Sequence, residues 1–414
     1  MAPDTEITIV GGGIGGLALA LNLHRHGISS RIYEAAPVLK EIGVGITVLP
    51  HAMRELTALG LGAEIERQGI ENTQSRFFNR FGQLIYSEPR GRFAGYPLAE
   101  VGIHRGRLHM TLLRAVIERL GAEAIVTDHQ CTGLAQDDDG VTLNFRKTST
   151  GESAPSVRAR IVIACDGVNS AVRRHFYPHD AIVFSGVNSW RGVTQWTPIF
   201  DGRTYLRVGS IRTNKMTIYP IADNVDGKGR QLINWIAQVP SASADDRNDW
   251  NKPAKPSDFL HLFKDWVFDW LDVPAMCEAA DTILEYPMVD KNPIDRWTFG
   301  RVTLAGDAAH PMYPRGSNGS AQALIDVRVL GDLLKDASDP KDALIAYERE
   351  RIPVTSRIVR ANRAEPPDVI NIRVEELTGD RPFERLDDYI SQDELRALSG
   401  QYQAIAGFSK QDVR

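Results

Sequence analysis

The chain has 414 residues, a formal net charge of −5 at neutral pH and 43% hydrophobic residues. This length and composition are typical of a globular protein with two to three domains and a large core. The acidic balance argues against nucleic acid or an anionic membrane surface as a partner, because a negative field attracts neither. No run of about 18 apolar residues predicts a membrane-spanning helix.

Cysteine usage and the N-terminus give no sign of secretion. The N-terminus lacks a basic stretch followed by an apolar one, and Cys131, Cys165 and Cys277 lie far apart without metal or redox spacing. We therefore expect a cytoplasmic protein with reduced thiols and no bound metal. A monomer and a homodimer are both compatible with the sequence.

The first elements in chain order predict a dinucleotide-binding unit. They are a strand at Glu6–Val10, a glycine cluster at Gly11–Gly16, a helix at Leu17–His26, a strand at Ser30–Tyr33 and then Glu34. Glycines at the first, third and sixth positions of the cluster permit a tight turn and let the helix N-terminus approach a pyrophosphate. A carboxylate about 20 residues on suits an unphosphorylated ribose, which indicates FAD or NAD rather than NADP. The alternative is a glycine turn with a purely structural role.

Further predicted elements alternate between helix and strand until the sequence pattern changes near residue 181. The sequence predicts helices at about 51–59 and 108–120, and strands at 124–127, 134–135, 141–145 and 160–165. From about Ala181 to Pro287, dense tryptophans and short alternating runs predict a separate, mostly antiparallel sheet. Within it, Ser241–Pro256 is polar and proline-bearing and predicts a loop. A strand at 301–305, a glycine-rich loop, a helix near 321–334 and charged helical segments complete the chain.

Two motifs further along the chain separate FAD from NAD. One is Cys-Asp-Gly-Val-Asn-Ser-Ala-Val-Arg at 165–173, and the other is Gly-Asp-Ala-Ala-His-Pro at 306–311. Together with the glycine cluster they resemble the paired signatures of the single-component flavin monooxygenases of the para-hydroxybenzoate hydroxylase class. The resemblance covers about residues 5–365 and is closest to the phenazine-modifying members, with further matching stretches at 103–108, 190–194, 285–290, 313–326 and 347–363.

The resemblance implies an α/β fold in which a mostly antiparallel β-sheet substrate domain is inserted into a Rossmann-like FAD-binding domain, followed by C-terminal helices. The expected FAD-binding domain is discontinuous and comprises 1–75, 101–180 and 286–365. The expected substrate domain comprises 76–100 and 181–285. Residues 366–414 would form a C-terminal helical segment.

The resemblance also implies the reaction. NADH or NADPH would reduce FAD, O2 would add at flavin C4a, and the hydroperoxide would hydroxylate a small aromatic or N-heteroaromatic molecule, expected to be carboxylated. Because the cofactor carries this chemistry, we expect no catalytic side chain of the triad type. The sequence has no second glycine fingerprint for NAD(P)H and does not distinguish NADH from NADPH. Three alternatives stay open: epoxidation or Baeyer–Villiger oxygen insertion, a flavin reductase on the same fold, and a non-catalytic FAD-binding module.

Residues for FAD follow from the matched motifs. The N-terminus of the helix beginning near Ser320 would direct N–H donors at the negative charge of reduced flavin. The backbone at Cys131 is expected beside the adenine. The implied FAD-binding residues are Gly11, Gly13, Ile14, Gly15, Gly16, Glu34, Ala35, Gly45, Ile46, Arg105, Cys131, Asp166, Gly167, Asp307, Gly316, Ser317, Asn318 and Gly319.

The substrate pocket is expected between the flavin and the β-rich region. Its arginines can pair with a substrate carboxylate, although a solvated surface position is the ordinary alternative for each, as sheet core is for the aromatic residues. Arg315 departs from the resemblance, since many members have an apolar residue there, and we hypothesise that it helps to hold an anionic substrate group. The candidate pocket residues are Trp190, Arg191, Tyr205, Arg207, Tyr219, Trp235, Met312, Pro314 and Arg315.

Overall fold

The computed structural model of the chain describes residues 5–242, 252–364 and 368–405. Its strands, numbered in chain order, are β1 (Thr5–Val10), β2 (Ser30–Tyr33), β3 (Gly45–Val48), β4 (Ile70–Glu71), β5 (Gln74–Phe78), β6 (Leu84–Pro89), β7 (Val101–His104), β8 (Ile125–Val126), β9 (Gln130–Gln136), β10 (Val141–Arg146), β11 (Ser153–Ala164), β12 (Ile182–Trp196), β13 (Thr204–Ser210), β14 (Asn214–Ala222), β15 (Gln231–Pro240), β16 (Lys252–Ala254), β17 (Val267–Phe268), β18 (Leu271–Asp272), β19 (Ile283–Lys291), β20 (Thr298–Phe299) and β21 (Val302–Leu304).

The α-helices, also in chain order, are α1 (Ile14–Arg25), α2 (Pro50–Ala58), α3 (Gly62–Gln68), α4 (Arg105–Leu120), α5 (Ala171–Phe176), α6 (Val273–Glu278), α7 (Gly319–Lys335), α8 (Pro340–Ala364), α9 (Val369–Thr378) and α10 (Gln392–Ile405). Short 3₁₀ turns occur as well, among them one at Gly306–Ala308.

The first sheet has the strand order β20-β21-β11-β1-β2-β8, with the β9–β10 hairpin attached to β11. Strand β1 runs parallel to β2 and to β11, and β11 runs parallel to β21. Its apolar residues are covered by helices, and α1 packs against both α4 and α7. A mainly parallel sheet with a glycine turn between its first strand and first helix is the Rossmann-like arrangement, so the predicted nucleotide-binding fold is confirmed.

The register of this sheet brings distant motifs to one edge. Val10 pairs with Ala164, and Ala164 pairs with Leu304, so the carboxyl ends of β1, β11 and β21 lie next to one another. The glycine cluster follows the first of these strands, the Asp-Gly motif the second and the Gly-Asp motif the third. In open α/β sheets ligands bind outside the carboxyl ends of the strands, and the three predicted motifs meet at such an edge.

The second large sheet has the order β16-β19-β12-β15-β14-β13-β5-β6 and is antiparallel except for the β13–β5 pair. One face carries a core that includes Trp235, Phe259, Phe263 and Trp266, while the other face is turned towards the first sheet's carboxyl edge. The predicted inserted antiparallel sheet is confirmed. The expected domain boundary at residue 285 falls inside β19, which continues this sheet to Lys291.

The segment expected as a loop at 241–256 is partly a strand. Lys252–Ala254 forms β16, which pairs with β19 at the sheet edge, and this part of the prediction is wrong. The pairing is possible because Pro253 lies in an edge strand, where a missing N–H breaks no ladder between central strands. Residues 243–251 lie outside the described part of the chain.

The described part of the chain ends in helices, as predicted. Helices α9 and α10 pack through Ile370, Val374 and Leu395 against Phe77 and Tyr86 of the second sheet. A small third sheet, with the order β3-β7-β4, lies between the two large sheets and contacts β14 through β7. The C-terminal segment therefore covers the side of the second sheet that β5 and β6 form.

Candidate functional site

A cavity of about 550 Å³ lies between the carboxyl edge of the first sheet and the inner face of the second. Residues of the glycine turn and of the two later motifs form one side. Strand residues of the second sheet form the other, and the segments 42–47 and 311–320 complete the wall. A volume of this order is in the range of ligand and cofactor pockets.

The glycine turn separates into structural and cavity-facing positions. Gly11 has a φ of +104°, and a Cβ there would overlap the carbonyl group of Cys165. A Cβ at Gly16 would overlap the carbonyl oxygen of Gly11. Gly13 and Gly15 instead line the cavity, and a Cβ at Gly13 would meet no heavy atom within 4 Å. Packing therefore explains the first two glycines, whereas the open space at Gly13 lets a ligand reach the backbone.

Glu34 is fastened to the turn that it was predicted to accompany. Its Oε2 accepts a hydrogen bond of 2.6 Å from the Gly12 N–H, and its Oε1 accepts one of 2.7 Å from the Ala36 N–H. Each oxygen keeps a further lone pair. Glu34, Ala35 and Cys131 are not among the residues that line the cavity, and their roles towards the adenosine half of FAD remain predictions.

The two later motifs are joined by a buried arginine. Asp166 Oδ2 accepts hydrogen bonds from the first N–H groups of α5, at Ala171 and Val172. From that helix, Arg173 reaches the carbonyl oxygens of Ala308 and Ala309, at 3.2 and 2.8 Å. The Arg173 side chain is fully buried and is also paired with Asp180 at 2.7 Å. A single guanidinium thus fixes the Asp-Gly motif relative to the Gly-Asp motif.

The Gly-Asp motif is held from behind by Asp326 of α7. The Asp326 carboxylate accepts hydrogen bonds from Gly306 N (2.9 Å), His310 Nε2 (2.6 Å) and Arg351 Nε (2.7 Å). Burial raises the pKa of Asp326, but electrostatic interactions and hydrogen bonds with His310 and Arg351 outweigh burial and lower the pKa to about 2. Asp326 is therefore a carboxylate at neutral pH and orients the turn that carries Asp307.

Asp307 points into the cavity from this turn. The surrounding protein desolvates its carboxyl group and raises its pKa, and electrostatic interactions with His310 and Arg105 oppose that shift. Arg105 is the first residue of α4 and also lines the cavity. The acidic side chain of Asp307 and the basic side chain of Arg105 therefore face the same cavity, and the sequence predicts both as cofactor-binding residues.

The loop before α7 has a left-handed backbone at two successive residues, Gly316 (φ +70°) and Ser317 (φ +56°). Helix α7 begins at Gly319 after Asn318, without a side-chain cap and without an acidic residue in its first turn. Its first N–H groups and its partial positive charge are thus available to an anion in the cavity. Gly316, Ser317, Asn318 and Gly319 all line the cavity, as do Gly45 and Ile46 on another side.

The floor of the cavity is the inner face of the second sheet. One cross-strand row runs from Arg191 through Ile236 and Thr217 to Arg207, in paired positions on β12, β15, β14 and β13. Beside it, the rings of Tyr205 and Tyr219 stack at 5.0 Å with an interplanar angle of 9°. Burial raises the pKa of both phenols, so they stay neutral.

Arg191 is the charged residue of this floor that indicates most about the ligand. Its guanidinium lies 4.2 Å from the ring centroid of Tyr286. Its Nε and Nη2 are buried and have no hydrogen-bond partner in the described part of the chain. Buried N–H groups of a charged side chain cost free energy when they have no acceptor, so a molecule in the cavity that supplies one would be bound favourably here.

The structure brings together most of the predicted pocket residues but not the tryptophans. Arg191, Tyr205, Arg207, Tyr219, Met312, Pro314 and Arg315 line the cavity. The placement of Trp190 and Trp235 in the pocket is wrong, since both belong to the core on the opposite face of the sheet. Their neighbours Arg191 and Ile236 face the cavity, and successive side chains of a strand alternate between faces.

Several cavity residues were missed by the sequence reasoning. They carry no local motif, and only the register of the second sheet places them on its inner face. These residues are Ile42, Thr47, Lys215, Thr217, Ile236, Gln238, Leu284 and Tyr286. Among the described residues, no group of three or more His, Cys, Asp or Glu side chains could hold a metal ion.

The site fits FAD on its own features. The open cradle at Gly13, two helix N-termini without acidic residues in their first turns, and Arg105 suit a pyrophosphate and a negatively charged ring. A cavity that joins this cradle to a separate floor leaves room for a second, smaller molecule. These features define a flavin-binding oxidoreductase with a pocket for an organic substrate.

Comparison with known proteins places the chain in a family. It matches the FAD binding domain family over residues 4–201 and 279–362, and it belongs to that family. It is an FAD-dependent monooxygenase that uses NAD(P)H and O2. Within the described residues, no helix combines the length and the apolar character needed to cross a membrane.

Individual relatives and solved structures extend this result. The chain is 40% identical to phenazine 1,6-dicarboxylic acid hydroxylase PhzS of Lysobacter antibioticus, over 87% of this chain and 90% of that protein. It is 32% identical to 3-amino-4-hydroxybenzoate 2-monooxygenase PtmB3 of Streptomyces platensis, over 86% and 87%. Its fold is similar to that of Klebsiella pneumoniae HpxO complexed with FAD and uric acid, with a TM-score of 0.76, 24% identity and coverage of 99% and 96%.

Proposed function

We propose that the protein hydroxylates a planar aromatic or N-heteroaromatic molecule that carries a carboxylate, and that Arg191 binds this carboxylate. Two observations on the half-buried Arg191 carry the proposal: the residue lines the cavity, and its Nε and Nη2 have no acceptor among the described residues. A carboxylate accepts two parallel hydrogen bonds from a guanidinium fork. The printed names of both relatives above, a phenazine dicarboxylic acid hydroxylase and an aminohydroxybenzoate monooxygenase, support a carboxylated aromatic substrate.

The shape of the floor supports a flat substrate. Ile236 and Thr217 occupy the middle of the row between Arg191 and Arg207, and their side chains are shorter than those of the two arginines. The stacked Tyr205 and Tyr219 flank this surface. An aromatic ring lying on Ile236 would remove apolar surface from water on both sides while its carboxylate reaches Arg191.

The chain's own residues would bind, orient and exclude water. FAD, when bound, accepts a hydride from NAD(P)H and activates O2 for transfer to the substrate. Asp307, Arg105 and the N-terminus of α7 would hold the cofactor, and the Gly13 cradle would receive its pyrophosphate. Arg191 fixes the position and orientation of the substrate ring, and this positioning accounts for a large share of the rate in such enzymes.

We further propose a discontinuous FAD-binding unit and a cytoplasmic location. Residues 1–75, 101–180 and much of 286–365 would form the FAD-binding unit, because they supply the first sheet and its helices. A cytoplasmic location is supported by Cys131, Cys165 and Cys277, none of which is in a disulfide.

The test compares Arg191→Met with the unchanged enzyme on a set of aromatic carboxylates that stimulate NAD(P)H oxidation. Loss of a buried charge-assisted pair costs about 3 kcal/mol, so KM for a carboxylate should rise ~100-fold. The control is the carboxamide of the same ring, for which the two enzymes should differ little because the amide carries no charge. An equal KM for the carboxylate in both enzymes would refute the proposal.

A further inference from the structure

The end of the cavity opposite Arg191 contains a second set of buried cations. Arg207, Lys215 and Arg315 all line the cavity, with relative exposures of 8%, 6% and 7%. They come from β13, β14 and the loop before α7, and both arginines are close enough to Lys215 to affect its pKa. Burial lowers the pKa of Lys215, the positive charges of Arg207 and Arg315 lower it further, and Asp368 opposes them.

The charge of Lys215 is already balanced by the C-terminal segment. Its Nζ forms an ion pair with Asp368, a residue that is 1% exposed and lies immediately before α9. Arg315 donates a hydrogen bond of 3.3 Å to the carbonyl oxygen of Asn362. These contacts fix two of the three cations in the wall of the cavity.

The charge of Arg207 is not balanced in this way. Its Nη1 donates a hydrogen bond of 2.7 Å to the neutral hydroxyl of Ser75, and its guanidinium lies over the rings of Phe77 and Tyr205. In the part of the chain that the structure describes, no carboxylate forms an ion pair with it. Asp368 is close enough for the charge of Arg207 to lower its pKa, but it forms its ion pair with Lys215. The direct contacts of the buried Arg207 guanidinium are therefore neutral, and it can attract an anion into the cavity.

The spacing of the two ends can be worked out from the sheet. Arg191 and Arg207 occupy the ends of one cross-strand row, three strand spacings apart, which is about 14 Å. Both side chains lean outward, Arg191 towards Tyr286 on β19 and Arg207 towards Ser75 on β5. The two guanidinium groups are therefore farther apart than the strand positions themselves, and contacts of about 2.8 Å at each end leave at least ~9 Å between two acceptor groups. That is more than a single aromatic ring spans.

We propose that the end of the cavity formed by Arg207, Lys215 and Arg315 is a second anion subsite, and that the substrate is a planar fused-ring aromatic with acidic groups at two opposite ends. The subsite is completed by Asp368, which neutralises Lys215 and leaves Arg207 to receive the second acid. The inference rests on the proposed function, because Arg191 is the partner of the first carboxylate.

The experiment measures dissociation constants for the FAD-loaded enzyme from the change in flavin absorbance. The probes are naphthalene-2,6-dicarboxylate, its monomethyl ester and 2-naphthoate. The ester has nearly the size of the diacid but only one charge, so it separates charge from fit. We expect the diacid to bind at least about tenfold more tightly than the ester, as one charge-assisted contact implies.

The variant Arg207→Met tests the assignment of this advantage. It should reduce the ratio between ester and diacid to about twofold or less, whereas Arg191→Met should weaken all three probes. The matched control is Arg212→Met, which removes a charge from an exposed turn after β13, where Arg212 pairs with Glu376. This control should keep the full ratio.

The outcomes separate the two proposals. Equal binding of diacid and ester by the unchanged enzyme, or a ratio that Arg207→Met leaves intact, would overturn the second subsite. If 2-naphthoate binding is also insensitive to Arg191→Met, the proposed function itself fails. If 2-naphthoate depends on Arg191 while the diacid has no advantage, only the second subsite is wrong.

Discussion

Two glycines of the same turn should respond in opposite ways to alanine. Gly13 has φ −73° and ψ −175°, an extended backbone that alanine adopts without strain, and an added Cβ would meet no heavy atom within 4 Å. Gly13→Ala should therefore leave the apoprotein as stable as before, or stabilise it by up to about 1 kcal/mol through the unfolded chain. Gly16→Ala should destabilise it by about 1–3 kcal/mol, because the methyl group would overlap the Gly11 carbonyl oxygen.

The affinity for FAD should depend on the open space at Gly13 and not on the stability of the apoprotein. The methyl group of Gly13→Ala occupies the space through which a pyrophosphate approaches the backbone, so Kd for FAD should rise at least about tenfold. Fluorescence quenching of FAD gives the Kd, and thermal unfolding of the apoprotein gives the stability. Gly400→Ala is the control, since it also adds a methyl group in open space but lies in exposed α10. Wild-type FAD affinity of Gly13→Ala would refute the placement of the cofactor at this turn.

Two further predictions concern the buried network behind the cofactor site. Arg173→Met should lower the thermal midpoint and weaken FAD binding together. The reason is that the carbonyl groups of Ala308 and Ala309 lose their hydrogen-bond donor, at a cost of about 1–3 kcal/mol each. An unchanged Kd for FAD in a destabilised variant would show that the contacts of Arg173 do not affect the cofactor site. The pKa of Asp326 is about 2 in the folded protein against an ordinary value of 3.8, so its ion pairs should contribute about 2 kcal/mol above pH ~4 and lose that contribution as the pH falls towards 2. Urea unfolding of the apoprotein across this range should show the loss, and Asp326→Asn should reduce the pH dependence of unfolding by about this amount. An equal pH dependence in the variant and the unchanged protein would contradict the assignment.

The cofactor site was largely predictable because its signals are local. The glycine cluster, Asp166-Gly167 and Gly306-Asp307 each begin within two residues of the end of a strand, and the parallel order β21-β11-β1 then brings them to one edge. The start of α1 was less predictable. It begins at Ile14 rather than at Leu17, because its N-cap is Gly13 and no side chain caps it. A helix start without a capping residue has little sequence signature.

For the substrate site, the sequence predicts which region supplies the residues but not which of these residues face the cavity. Trp190 and Arg191 are adjacent in the sequence, and a shift of one residue in register exchanges which of them faces the cavity. The sequence does not supply that register, so Trp190 and Trp235 were placed on the wrong face. Lys215 and Asp368 lie over 150 positions apart, and their ion pair depends on how the C-terminal segment packs on the second sheet.

The most direct test of the central claim is turnover of an aromatic carboxylate under ¹⁸O₂ with NADH or NADPH as reductant. Mass spectrometry should show a product that gains one labelled oxygen atom, with NAD(P)H consumed in a one-to-one ratio to product. Oxidation of NAD(P)H without labelled product, across a panel of one- to three-ring carboxylates that bind through Arg191, would contradict the assignment of the protein as an aromatic hydroxylase.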